Sequence, residues 1–203
     1  MEYNKIVSDE IIRKTILSLK NNGMEGLVVG NGEDAKAKVL ELVPEGSEVM
    51  NMTSETLATI GLDKEIMESG RYDAVKNKLA AMDRETQNRE MQRLGAAPQY
   101  AIGSVHAITE NGELVIASNT GSQLPAYAYG SDKVIWVVGA QKIVPDMPGA
   151  MKRVYDYVLP LESQRAHKAY GMVRSNVSKM LIVNKEVVPS RITVIFVKEV
   201  LGF

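Results

Sequence analysis

The sequence predicts an α/β fold with a mostly parallel central sheet flanked by helices. Three observations carry that prediction. Short apolar runs and amphipathic stretches alternate as β-α-β-α from Ser8 to Ile60, a pattern that calls for a parallel sheet with right-handed crossovers. Leu27-Val28-Val29 and residues 134–138 are continuously apolar, as expected of strands covered on both faces. Two strand candidates, residues 114–117 and 133–138, each deliver the chain into a small polar loop, 118–123 and 139–142. In open α/β sheets, ligands bind outside the carboxyl ends of the strands.

Residues 8–22 read as the first helix. Ser8 caps it, Asp9 and Glu10 suit its positive end, and Ile12, Ile16 and Leu19 share one face. Gly23 is its C-terminal stop. After the strand at 27–29, Gly30-Asn31-Gly32 turns into a second helix with Ala35, Val39 and Leu42 inward, and Pro44 ends it. Residues 48–52 form a second strand, and Thr53 and Ser54 cap a short helix through Ile60.

A polar helical segment covers about 62–94. Val75, Leu79 and Met82 give it a brief apolar face, and Glu85 can pair with Arg89 at i,i+4. A helix this polar is a solvated face or an arm that meets a partner subunit. Residues 100–108 form one further strand, and Asn111-Gly112 a hairpin turn of type I′. Asp146 caps the clearest helix, whose inner face is Met147, Ala150, Met151, Val154, Tyr155 and Val158; Pro160 breaks it. Residues 180–183 and 192–197 close the fold as a pair of strands.

Bulk composition narrows the function. The 203 residues suit one domain with a real core. Lys plus Arg (24) nearly equals Asp plus Glu (25), so the clustered positive field that a nucleic acid needs is missing. Without cysteine there are no disulfides, thiol nucleophiles, iron–sulfur ligands or thiolate zinc sites. His106 and His167 have no ligand spacing, so no metal site is expected. The opening MEYNKIVSDE is not a secretory signal, and no apolar run reaches membrane-spanning length. The cytoplasm is the expected location.

Several residues carry candidate chemistry. Gly30-x-Gly32-x-x-Ala35 matches a loose dinucleotide fingerprint, although the second strand lacks the terminal acid that binds ribose hydroxyls. Thr53, Ser54 and Thr56 place three hydroxyls at a helix start, for an anion or simply for capping. Asn119, Gly121 and Gln123 put amides and an approachable backbone in one loop. Lys142 supplies a positive charge at a strand end. Glu110 and Glu113 flank the hairpin turn, where a carboxylate can act as base or where a solvated hairpin is simply charged.

The run SVHAITENGELVIASNTGSQL, then DKVIWVVGAQKIVPDMPGAMKRV, the ending ITVIFVKEVLGF and the earlier MTSETLATIGL together resemble the LUD domain of lactate-utilisation proteins. The resemblance covers nearly the whole chain in order. It implies a fold of the sugar-phosphate isomerase and CoA-transferase group, a link to lactate oxidation, and iron–sulfur proteins as partners. It carries over Thr53, Ser54, Thr56, Glu110, Asn119, Gly121, Lys142, Asp146 and Arg153. Gln141-Lys142 stands where the family typically has Asn-Lys. Many members carry several cysteines before the closing strands; residues 167–179 have none, which argues against direct electron transfer by this chain.

The sequence reading is therefore a protein that binds a small anionic metabolite, such as a hydroxy acid, at the carboxyl ends of its strands. Lys142 meets the anion, Asn119 and Gly121 orient it, and Glu110 is the acid/base candidate. The alternatives are an isomerase or acyl/CoA transferase, and a non-catalytic subunit of a redox complex. The sequence names no cofactor, and a homo-oligomer is compatible with it.

Overall fold

The computed structural model describes residues 3–171 and 173–203. In chain order the first half runs α1 (Asp9–Asn21), β1 (Glu25–Val29), α2 (Gly32–Leu42), β2 (Glu48–Asn51), α3 (Glu55–Thr59), α4 (Leu62–Glu68), β3 (Asp73–Ala74), α5 (Val75–Ala81) and α6 (Arg84–Ala96). The second half runs β4 (Tyr100–Gly103), β5 (Ala107–Thr109), β6 (Leu114–Ser118), β7 (Lys133–Gly139), β8 (Ile143–Val144), α7 (Met147–Arg153), α8 (Leu159–Tyr170), β9 (Lys179–Val183) and β10 (Ile192–Val197).

Six strands form the predicted parallel sheet, in the order β1-β10-β7-β4-β2-β3. The other four form a second, mixed sheet, β8-β5-β6-β9. Alternation along β7 explains the layering, because successive side chains leave a strand on opposite faces. Val134, Trp136 and Val138 enter a core shared with Ile12 and Leu19 of α1 and with Ile108, Leu114 and Ile116 of the second sheet. Ile135 and Val137 enter the opposite core, against Ala35 and Val39 of α2 and Leu57, Leu62 and Ile66. The far face of the second sheet packs Ala107, Val115 and Val144 on Ala150 and Val154.

The second sheet accounts for most departures from the sequence reading. Residues 100–108 are two strands in different sheets, separated at Ser104-Val105-His106. The closing strands do not pair with each other: β9 joins β6 antiparallel, while β10 inserts between β1 and β7. The apolar run of β1 lies on a sheet edge, with Val28 43% exposed rather than covered on both faces. The short strand β3, placed within the segment read as helical, extends the parallel sheet beyond β2.

Local signals held better. Ser8, Ser54 and Asp146 accept hydrogen bonds as the N-caps of α1, α3 and α7. The Asn111-Gly112 hairpin exists, but only Gly112 takes positive φ (83°), so this is a three-residue loop with its left-handed residue last and not a type I′ turn. No residue of α6 is buried, and its ion pair joins Glu90 to Arg93, not Glu85 to Arg89.

Pro160 does not break the helix that Asp146 starts. A π-helical turn, Val154–Val158, follows α7, and the Leu159 N–H reaches back to the Val154 carbonyl. The added residue resets the register, so Pro160 falls in the first turn of α8, where its missing N–H does least harm. Tyr155, inside the π turn, is exposed, contrary to its predicted inward position, while Arg153, one regular turn after the buried Ala150, points inward.

Gly103, at the end of β4, is where packing is tightest. An added Cβ there would stand 1.8 Å from the Tyr127 hydroxyl, and Tyr127 is buried edge-on to Trp136 with ring centroids 5.2 Å apart. Gly103→Ala is expected to destabilise the fold by about 3 kcal/mol, the upper range for overpacking. In a Tyr127→Phe background, denaturant titration should show that loss clearly reduced; strict additivity of the two changes would show that the clash is not the cause.

Candidate functional site

Three parallel strands, β2, β4 and β7, end side by side and release the chain into the segments 52–56, 104–106 and 140–142. These segments floor a cavity of about 350 Å3. Its second wall is the loop after β6, and its third is the π-helical turn and α8, which contribute Val154, Val158 and Arg165.

Lys142 forms the floor. A short 3-10 turn, Ala140–Lys142, follows β7 and brings the side chain inward. The turn is pinned by Gln141, whose amide donates to the Leu201 carbonyl at 3.0 Å. Lys142 is 2% exposed, and its Nζ donates to Thr56 Oγ1 at 3.0 Å and to Ser104 Oγ at 3.1 Å. Burial, reinforced by the positive charge of Arg153, pulls its pKa down to about 7. Lys142 therefore gives up its proton far more readily than an ordinary lysine.

His106 stands beside it. The Ala117 backbone N–H donates to its Nδ1 at 3.1 Å, which leaves Nε2 as the protonated nitrogen. Burial, with the charges of Lys142 and Arg153, holds its pKa near 3, so the ring is neutral and Nε2–H is a donor. No described residue accepts from that nitrogen, and His106 lines the cavity.

Arg153 lies behind His106. It is fully buried, and one of its terminal N–H groups donates to the His106 carbonyl. Its guanidinium sits 5.8 Å from the centre of the Tyr3 ring and 5.3 Å from that of Tyr157. Aromatic faces thus take the place of a carboxylate. Neither Lys142 nor Arg153 has an acidic partner among the described residues, and Nε and Nη2 of Arg153 have no acceptor. Charge is matched only on the α8 wall, where Arg165 holds Glu162 through two bonds of 2.7 Å and Glu55 at 3.5 Å.

The structure gathers part of the predicted set. Thr53, Ser54, Thr56, Asn119, Gln123 and Lys142 all line the cavity. Gly121 shares the Asn119 loop at φ 86°, but its N–H is spent on Ser118 Oγ at 2.8 Å. Arg153 lies behind His106 and does not line the cavity, and the other three lie elsewhere. Glu110 is at the hairpin, paired with Lys14 at 2.7 Å, and Glu113 bonds Thr109. Asp146 caps α7 through the Gly149 N–H. Gly30 is at the end of the edge strand β1, and the neighbouring Gly32 N–H donates to the Glu199 carboxylate at 2.8 Å, so the α2 N-terminus already holds a carboxylate of its own chain.

His106 and Ser104 are site residues that the sequence reading missed. Their signal was the Gly103-Ser104 break, overlooked because residues 100–108 read as one strand.

The depressed pKa of Lys142 has a stability consequence of definite sign. Between about 7 and its ordinary value near 10.4, the unfolded chain binds the proton and the folded chain does not, so this group makes stability rise with pH across that window. Lys142→Met is expected to be more stable than the parent near neutral pH. Its advantage should shrink by up to about 1.4 kcal/mol per pH unit as pH rises to about 9. Denaturation of both proteins across that range tests this; a pH-independent difference would refute the buried, proton-shedding lysine.

The LUD domain family model matches residues 12–197. Among solved structures, the chain is similar to a DUF162 family protein from Deinococcus radiodurans, with 13% identity and a TM-score of 0.60 over 94% of this chain and 99% of that one. That likeness shows the fold. eIF2B beta from Chaetomium thermophilum aligns with 57% of this chain and 44% of its own, at 16% identity and a TM-score of 0.38. No match was found among curated proteins. The matched span takes in both sheets and the lysine floor between them, and the chain belongs to the LUD domain family.

Proposed function

We propose that the cleft binds a small hydroxy-acid anion of the lactate kind. The family supports a general association with lactate utilisation. The observation that carries the finer reading is the unbalanced charge beneath the cavity. Lys142 and Arg153 are both buried, and no described carboxylate faces either. A buried cation without a partner is costly, and an anion entering beside Lys142 relieves that cost.

The donors suit a carboxylate with an adjacent hydroxyl. Lys142 Nζ and the Nε2–H of His106 approach from the floor, and Asn119 and Gln123 stand on the opposite wall with their amides. About 350 Å3 is at the small end of ligand cavities. The acid/base role assigned to Glu110 drops out of this reading, since that residue is committed to Lys14 outside the cleft. The isomerase and acyl-transferase readings need an available carboxylate at the site. The two on the lining, Glu55 and Glu162, both hold Arg165.

Binding should draw in a proton. The anion favours charged Lys142, so affinity for lactate is expected to fall about tenfold per pH unit above about 7. Titration calorimetry in buffers of different ionisation enthalpy would detect the proton uptake. Loss of a charge-assisted bond should weaken binding about 10- to 100-fold in Lys142→Ala, and less in Asn119→Ala. Unchanged lactate affinity in both variants, or affinity that does not vary with pH, would remove the cleft as the binding site.

A further inference from the structure

The lysine floor has a second capacity, which concerns the oxidised counterpart of a hydroxy acid. Removing two hydrogens from a 2-hydroxy acid gives a 2-oxo acid with the same carboxylate and nearly the same size. In place of a hydroxyl it presents an electrophilic carbonyl carbon. A site that accepts one accepts the other, unless a group in it reacts with the carbonyl.

We propose that Lys142 is a Schiff-base nucleophile, which captures a small 2-oxo acid such as pyruvate as a covalent imine at the floor of the cleft. This inference rests on the cleft being the binding site for a small acid anion.

The geometry of the amine supports it. Nζ has two acceptors, Thr56 Oγ1 at 3.0 Å and Ser104 Oγ at 3.1 Å, and no third partner among the described residues. A neutral amine has two N–H bonds and one lone pair. With both N–H groups given to the hydroxyls, the lone pair takes the remaining tetrahedral direction, and Lys142 lines the cavity. A carboxylate next to the amine would hold it protonated and unreactive; none is present among the described residues. Burial and Arg153 lower its pKa to about 7. At neutral pH its reactive fraction is then roughly a thousandfold larger than that of a surface lysine.

The reaction balances within the residues present. The Nζ lone pair attacks the carbonyl carbon, a C–N bond forms, and the π electrons move to oxygen. His106 can only donate a hydrogen bond to that oxygen. Its Nδ1 is occupied by the Ala117 N–H, so giving up the Nε2 proton would create an imidazolate. It therefore polarises the carbonyl and stabilises the developing negative charge. Both amine protons pass to the oxygen, with the Thr56 and Ser104 hydroxyls placed to relay them. The nitrogen lone pair then forms C=N as the C–O bond breaks and water leaves. No oxidant or external acid is consumed. The ligand's carboxylate, one bond from the new imine carbon, supplies the negative charge that the floor lacks.

The test is reductive trapping. The full chain is incubated with pyruvate and cyanoborohydride over a range of pH, and peptide mass mapping locates the reduced adduct. Thermal shift with lactate and pyruvate is run in parallel. The expected result is an adduct concentrated on Lys142, with trapping that rises with pH from somewhat above about 7, because the ligand's own carboxylate favours the charged amine, and still below the range near 10.4 where ordinary lysines rise. Lys142→Arg keeps the positive charge and should lose the adduct; circular dichroism checks its fold. If pyruvate and lactate stabilise the protein but Lys142 is labelled no more than surface lysines, the nucleophile is refuted and the binding site stands. If neither ligand stabilises the protein and no Lys142 adduct forms, both readings fall.

Discussion

Two buried cations without carboxylates constrain the rest of this molecule. Moving a charge from water into a protein interior costs far more than a domain's whole stability of about 5–15 kcal/mol, so each cation must be accommodated. Arg153 cannot shed its proton at neutral pH and is held by two aromatic faces and the His106 carbonyl. Lys142 can shed its proton, and does so near neutrality, with hydroxyls to accept its N–H groups in either state. The cost of its burial is thereby limited to the order of 5 kcal/mol. His106 stays neutral chiefly because it is buried, and the charge of Arg153, with that of Lys142 whenever it is protonated, adds to the cost of charging it.

The two sheets exist in the form that this arrangement needs. The parallel sheet supplies adjacent strand ends, so that Thr56, Ser104 and Lys142 converge from β2, β4 and β7 despite their separation in sequence. The mixed sheet supplies the Ala117 N–H that fixes the His106 tautomer. Turning from one sheet to the other takes place at Ser104-Val105-His106, so the crossover itself delivers two of the site's groups. The π-helical turn after α7 completes it. Arg153, at the end of α7, lies beneath the floor, and Val154 and Val158 of the turn line the cavity. Extra residues of this kind are often found at functional sites.

How far the sequence could foretell this depends on the range of each signal. Caps, glycine stops and the alternation of strand and helix are local, and Ser8, Ser54, Asp146 and the succession β1, α2, β2 in one parallel sheet agree with the structure, although three strands stand between β1 and β2. That Lys142 and the Thr53–Thr56 hydroxyls would stand at the carboxyl edge of the sheet was legible because they follow strands directly in the sequence, and open α/β sheets bind ligands at that edge. Sheet membership is a long-range property. An apolar run such as residues 100–108 looks alike whether it stays in one sheet or crosses to another, and the pairing of residues 180–183 depended on β6 more than sixty residues earlier. Pro160 misled for a different reason: proline ends a helix only if the register before it is regular, and the π turn changed that register. Glu110 was singled out for its closeness to the hairpin, but which side of a turn a carboxylate faces depends on its partner. Lys14 of α1 settled the matter.

The missing carboxylate is more informative than any residue present. An acid beside Lys142 would be the cheapest way to bury it, and would stabilise the fold at neutral pH. It would also fill the place of an anionic ligand and keep the amine protonated. Both proposed uses of the cleft, binding an acid and attacking a carbonyl, require that the protein leave this pair incomplete. Hydroxyl partners satisfy that requirement, because Thr56 and Ser104 accept N–H bonds without adding negative charge. The chain contains no cysteine, so a neutral lysine is the strongest nucleophile it has at this site. Exposed on the surface, that lysine would be protonated and inert at the same pH. In the proposed chemistry, the instability accepted at the floor is what would make its nitrogen reactive, stability traded for a working site.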